Sequence, residues 1–135
     1  MVTINGTYSG GLRCVATHGP SGAELTTDAP VDNHGQGRAF SPTDLLATSM
    51  ATCMVTTMGI WAQRNNVELG ATTFSVVKEM SSNAPRRVSK LTVRIHVPTT
   101  LTDDQKQRLE AAAKSCPVHQ SLHPDVACDL SITWG

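Results

Sequence analysis

The longest uncharged stretch of the chain, residues 45–63, follows directly on Ser41-Pro42-Thr43-Asp44 and constrains everything built around it. Ser can cap a helix, and Pro at the first helical position gives up only an N–H that would be unpaired anyway. Asp44 then meets the positive end of the helix dipole. The pattern predicts a helix from residue 42 to about residue 65, where Asn65-Asn66 supplies a stop. So long an uncharged run raises the question of a membrane span. Thr48, Ser49, Thr52, Thr56 and Thr57 would be costly in lipid and fit a buried helix better, so no span is expected. Lacking a clean polar face, the helix should be enclosed on most sides. Its small residues and threonines would let another backbone come close, as in a central helix packed against its own copy in a dimer.

Shorter elements flank this helix. Residues 2–7 and 12–17 alternate as strands with Gly10-Gly11 between them. His18-Gly19-Pro20-Ser21-Gly22 reads as a hairpin turn, and residues 23–27 as the returning strand. Residues 30–40, containing Asp32-Asn33-His34-Gly35-Gln36-Gly37-Arg38, form a loop of a length more often functional than idle. Residues 73–80 and 91–97 read as strands, the second with Leu91, Val93, Ile95 and Val97 pointing inward. Thr102-Asp103-Asp104-Gln105 is a capping box for a helix whose apolar line is Leu109, Ala112, Ala113 and Cys116. Pro117 ends that helix and can open a short turn through Leu122, and residues 126–134 close the chain as a strand. The 135 residues are one domain's worth of sequence, 1–135, and the element order predicts an α+β fold with antiparallel pairing.

Charge excludes several functions. Eleven Lys plus Arg balance eleven Asp plus Glu, so neither nucleic acid nor a membrane surface is an expected partner. Aromatic residues at 4% make the core aliphatic and Met-rich, with room for a second subunit to complete it. Met1-Val2-Thr3-Ile4-Asn5 has neither the basic start nor the apolar stretch of a signal peptide, which points to the cytoplasm. In a reducing compartment four cysteines are too few for a disulfide scaffold, so each is read separately.

Cys53 lies in mid-helix on one face with Leu46, Met50, Thr57 and Ile60, where a small core hydrophobe is the ordinary reading. Cys116 precedes Pro117 at the junction of two helices. If Pro117 opens the second helix, Cys116 occupies its cap, where unpaired N–H groups favour a thiolate. On the residues alone a structural and a reactive role stand level. Cys128 alternates with Val126, Leu130 and Ile132, and Cys14 sits between Leu12 and Ala16; both read as core filler. Two thiols on packed faces of different helices could also form a redox pair, one attacking a peroxide and the other closing a disulfide. Cys116, His119 and His123 approach metal-ligand spacing, but no second cluster completes a tetrahedral set, and no metal or other cofactor is expected. There is no phosphate-cradling glycine loop and no Gly-x-Ser-x-Gly elbow.

Taken together, Phe40-Ser41-Pro42-Thr43-Asp44-Leu45-Leu46, Ala51-Thr52-Cys53 and Ser115-Cys116-Pro117-Val118-His119-Gln120-Ser121-Leu122 resemble the OsmC/Ohr family of osmotically inducible and organic-hydroperoxide-resistance proteins, in its broader OsmC-like branch. The resemblance covers nearly the whole chain. It implies antiparallel sheets wrapped around a long central helix, in an intertwined homodimer with active sites at the subunit interface. It further implies a thiol peroxidase for organic hydroperoxides in oxidative-stress defence, with Cys53 peroxidatic and Cys116 resolving. Leu46, Met50 and Thr57 would line the apolar substrate pocket, and a dithiol on a lipoyl protein or a thioredoxin-like protein would supply electrons. The best-studied branch of that family places a Glu after the helix-opening Pro to orient an Arg toward the thiolate. Here that position is Thr43, with Asp44 about 100° further round the helix. Arg13 in the first hairpin and Arg38 in the loop are the candidate cations, Arg13 the better placed, and Glu79 is a further possible partner. The missing Glu keeps a second reading open, an OsmC-like protein that binds a small apolar ligand at the dimer interface without reducing peroxides.

Overall fold

The computed structural model describes residues 1–135 as two compact units, Met1–Leu46 and Ala47–Gly135. Together they hold two three-stranded sheets and a long helix, a mixed α+β chain.

In the first unit, strands β1 (Ile4–Gly10), β2 (Arg13–His18) and β3 (Glu24–Asp28) form an antiparallel meander. The β1–β2 turn runs through Gly10, Gly11 and Leu12, all at positive φ, so Leu12 leaves the ladder and β2 begins one residue later than the alternation suggests. The β2–β3 turn closes where the N–H of Gly22 donates to the His18 carbonyl at 2.7 Å. Cys14, expected in a core, is exposed, because no apolar layer within this unit covers its face of the sheet. The loop after β3 opens with a single 3-10 turn, Val31–Asn33. Gly35 tucks against Ala29 so closely that any Cβ would collide with the Ala29 carbonyl.

The start of the long helix is fixed as its residues require. The Ser41 hydroxyl accepts from the Asp44 N–H at 3.1 Å, and the Asp44 carboxylate accepts from the Ser41 N–H at 2.9 Å. That reciprocal box, with Pro42 in the first turn, opens helix α1 (Pro42–Arg64). By length and apolarity α1 could cross a bilayer. It instead buries a stripe at helical spacing within the chain: Ala47, Met50, Ala51, Met54, Met58 and Ala62. The opposite side is more open than expected, with Thr52, Thr56 and Ile60 exposed. Thr52 and Thr57 hydroxyls turn back to carbonyls one turn earlier, which lets this side be small and nearly apolar without orphaned donors.

The second unit continues with β4 (Thr73–Met80), β5 (Val88–Val97), helices α2 (Asp103–Lys114) and α3 (Pro117–Ser121), and β6 (Ala127–Trp134). β5 is the middle strand, and Leu91, Val93, Ile95 and Val97 are all buried as the alternation requires. β4 pairs with it antiparallel, but β6 pairs parallel. The expectation of antiparallel pairing throughout is therefore corrected for this pair. Two helices separate β5 from β6, and such a crossover returns the chain to the end where β5 began, as a parallel neighbour needs. Thr102 and Gln105 form the predicted capping box of α2, and Leu109, Ala113 and Cys116 are buried along its line.

Candidate functional site

Helix α2 breaks at Ser115 and α3 restarts at Pro117, which leaves Cys116 as the α3 cap with an extended backbone. Pro cannot extend α2 and is preset for the first residue of α3, so the break is dictated locally. The Cys116 sulfur accepts from the His119 N–H at 3.4 Å, and the Val118 N–H also points at it. Its side chain is fully buried.

The neighbour of that sulfur is Cys53, within hydrogen-bonding reach from α1. Mid-helix and near-tail thiols thus meet inside one unit, and both are free. Cys53 is half-buried, at the border between the sealed stripe of Met50 and Met54 and the open side of the helix. Burial, the largest cause, pushes the Cys116 thiol above its ordinary value. The two backbone N–H groups pull it down, while the hydrogen bond to Cys53 and charge on Cys53 push it up again. On balance burial and Cys53 favour the neutral thiol at Cys116. A sealed, protonated sulfur against an accessible one is an arrangement that can close a disulfide.

The other expected site residues fall in several places. Thr57, one turn beyond Cys53, donates its hydroxyl to the Cys53 carbonyl at 2.8 Å. Met50 is fully buried beside Met54 and Met58, and Leu46 is half-buried. Glu79 lies on the outward face of β4 opposite Lys90, and its charge adds to that of Asp129 in raising the Lys90 ammonium. The two candidate arginines meet at one carboxylate. Asp28 is fully buried at the end of β3; its Oδ2 accepts from the Arg38 main-chain N–H at 3.0 Å and lies 4.0 Å from Arg13 Nε. The Oδ1 atom of Asp28 and Nε of Arg13 are both buried without a hydrogen-bond partner. No group of three or more His, Cys, Asp or Glu is placed to hold a metal, and His119 Nδ1 instead bonds the Lys114 carbonyl at 3.0 Å.

Sequence reasoning did not single out a groove of about 470 Å³ between α1 and α2. On α1 it is lined by Thr57, Ile60, Trp61 and Arg64, which continue the face of Cys53. On α2 it is lined by Arg108, Ala111, Ala112 and Ser115, the last adjoining Cys116. Both stripes have helical spacing, so the signal was present, but nothing in the sequence said that they would face each other.

A family model described as OsmC-like protein matches residues 35–131, a span holding both cysteines. A solved structure from Psychrobacter arcticus 273-4, described as a candidate osmotic stress induced and detoxification response protein, is similar at 45% identity and a TM-score of 0.92, over 98% of this chain and 96% of that one. An organic hydroperoxide resistance protein OsmC from Legionella pneumophila is similar in fold at 17% identity and a TM-score of 0.78, over 98% and 96% of the two chains. One from Elizabethkingia anophelis matches at 16% identity and a TM-score of 0.78, over 100% and 98%. No curated protein matches the sequence. With most of its length matched by the family model and a relative at 45% identity, the chain belongs to the OsmC-like protein family.

Proposed function

We propose that this protein is a thiol-dependent peroxidase that reduces organic hydroperoxides through Cys53 and Cys116. The observation that carries the reading is the contact between a half-buried Cys53 and a sealed Cys116 whose proton is held in place. The accessible sulfur is the one a peroxide can reach, and the sealed one is protected from over-oxidation until its partner has reacted.

In the first step the Cys53 thiolate attacks the outer oxygen of ROOH. The O–O bond breaks, its electron pair leaves with the alkoxide, and a solvent proton completes the alcohol ROH. Cys53 is now a sulfenic acid, oxidised by two electrons. The Cys116 sulfur then displaces hydroxide from the Cys53 sulfur; the S–S bond forms, and the hydroxide with the Cys116 proton leaves as water. A dithiol, on a lipoyl or thioredoxin-like protein, returns both cysteines to thiols and becomes a disulfide itself. The sum is ROOH plus dithiol to ROH, water and disulfide.

Arg13 is the cation we assign to the Cys53 thiolate, with Asp28 steering its guanidinium. We further infer a homodimer. Ile4, Tyr8, Leu12 and Leu25 of the first unit are all more than 40% exposed, apolar area that a second copy would cover. The test is dithiol oxidation driven by cumene hydroperoxide and by hydrogen peroxide. Faster turnover of the bulky peroxide and none with Cys53→Ser are expected; normal turnover with Cys53→Ser would refute the reading. The groove of about 470 Å³ favours one second reading, a protein that binds an apolar ligand without peroxide chemistry. Ligand binding without any peroxide consumption by the wild type would establish that one instead.

A further inference from the structure

We propose that the outward face of the β4–β5–β6 sheet binds inorganic hydrogen phosphate, held by Arg94 and His96 in a hollow of about 270 Å³. The two residues stand two apart on β5, so both side chains leave the same face, about 7 Å apart along the strand. The strand register flanks each of them with hydroxyls. Thr73 of β4 and Thr133 of β6 lie opposite His96, and Ser75 and Ser131 lie opposite Arg94. All six line the hollow, and no carboxylate does.

Charge and hydrogen bonding select the ligand. Toward the other end of the sheet the charges are already matched, with Lys90 closed on Asp129 at 2.8 Å and Glu79 opposite Lys90. Arg94 is exposed and forms no hydrogen bond or ion pair. A sheet face that only meets solvent gains by setting opposite charges on neighbouring strands. Around Arg94 it sets hydroxyls instead, each able to donate to an oxyanion. The Thr133 hydroxyl meets the Ile95 carbonyl at 3.5 Å and His96 Nδ1 at 2.9 Å. Its one proton serves one contact, so both bonds form together only when it points at the carbonyl and Nδ1–H donates to the hydroxyl oxygen. In the neutral ring Nε2 is then an acceptor. The hollow therefore offers a planar cationic fork, hydroxyl donors and one acceptor. Hydrogen phosphate is the complement, with oxygens that accept and a P–OH that donates. Sulfate has no donor, and a carboxylate satisfies the fork but leaves Nε2 unmatched. The site uses neither cysteine, so it stands apart from the peroxidase reading.

The test is titration of phosphate, sulfate and phenyl phosphate into the full chain at about pH 8, where all three are chiefly dianions and only the first keeps a P–OH. The nitrogen signals of the His96 ring and of Arg94 Nε are the readouts. Phosphate should shift both saturably and bind about tenfold more tightly than the other two, as one hydrogen bond to a charged group allows. Arg94→Gln should weaken all three anions about tenfold, and Arg94→Lys by less. His96→Val, which suits an exposed strand position, should leave sulfate binding unchanged and bring phosphate down to it. Thr133→Val should also reduce the preference for phosphate, because the ring then populates both tautomers, which its nitrogen shifts report. No saturable shift of either signal overturns the proposal, and so does sulfate or phenyl phosphate binding as tightly as phosphate. Phosphate binding undiminished in Arg94→Gln places the ion elsewhere and overturns it as well.

Discussion

Cys116 caps α3 and, under the proposed activity, resolves the Cys53 sulfenic acid; two substitutions can separate these roles. As the α3 cap its sulfur accepts the His119 N–H at 3.4 Å from a fully buried position. Replacement by Ala removes the acceptor and a buried atom. The lost cap costs about 1 kcal/mol, and a cavity the size of one methylene-like group adds about another. Cys116→Ala should therefore lose about 2 kcal/mol in urea unfolding under reducing conditions. Cys116→Ser keeps an acceptor for the same N–H, so it should unfold about 1 kcal/mol later than the Ala variant. Chemically both lack the second sulfur. Each should consume one equivalent of peroxide and stop at a Cys53 sulfenic acid that a carbon-acid probe traps. Wild type should give little adduct, because Cys116 closes the disulfide first. Losing the neighbouring sulfur should slow resolution by more than about a hundredfold, since a dithiol from solution must replace a group already in place. Equal stability of the two variants would refute the capping argument. Sustained wild-type turnover by either would refute the pairing.

Four further outcomes follow from the same geometry. Because burial holds the Cys116 proton, disulfide closure, which uses its thiolate, should accelerate as pH rises through the ordinary thiol value of about 8.5 and continue beyond it; stopped-flow decay of the sulfenic acid checks this. The same upward shift favours the native state below the unfolded thiol value and loses that advantage as pH climbs through the folded one, a decline that Cys116→Ser should remove from urea unfolding curves. Met54→Ala, at a residue 1% exposed, should cost about 2–5 kcal/mol by calorimetry, and a loss below about 1 kcal/mol would contradict its place in the core. Asp28→Asn keeps an acceptor for the Arg38 N–H and removes the charge facing Arg13; half-exposure of Arg13 limits that loss to about 1 kcal/mol, and a double-mutant cycle with Arg13→Gln should show the two effects to be shared.

Most local structure could be read from the residues because its causes are local. Ser41, Pro42 and Asp44 determine where α1 starts whatever lies around it, and Thr102 with Gln105 does the same for α2. The alternation of Leu91, Val93, Ile95 and Val97 left only one way to face β5. Cys116 as a cap followed from Pro117 alone, although spacing left its role open between structural and reactive; the approach of Cys53 from another helix is what supports the proposed reactive role.

What could not be read depends on long-range assembly. Parallel pairing of β6 is a property of the crossover through α2 and α3, and the pattern of β6 fits either direction equally well. Asp28 follows Thr26 and Thr27 at the end of β3, and nothing in that run marks it for burial. Its burial arises because the loop that carries Arg38 folds back over it, while the register of β2 and β3 sets Arg13 opposite. The same reasoning bears on Thr43, where the resemblance led to an expected Glu. Thr43 cannot orient a guanidinium by charge, and the Asp44 carboxylate accepts the Ser41 N–H in the helix cap. Arg13 does face a carboxylate, that of Asp28 on β3, brought there by a strand register. A requirement for a charge beside an arginine fixes chemistry and distance but not chain position, so a motif that names one residue loses it when another element supplies the same group.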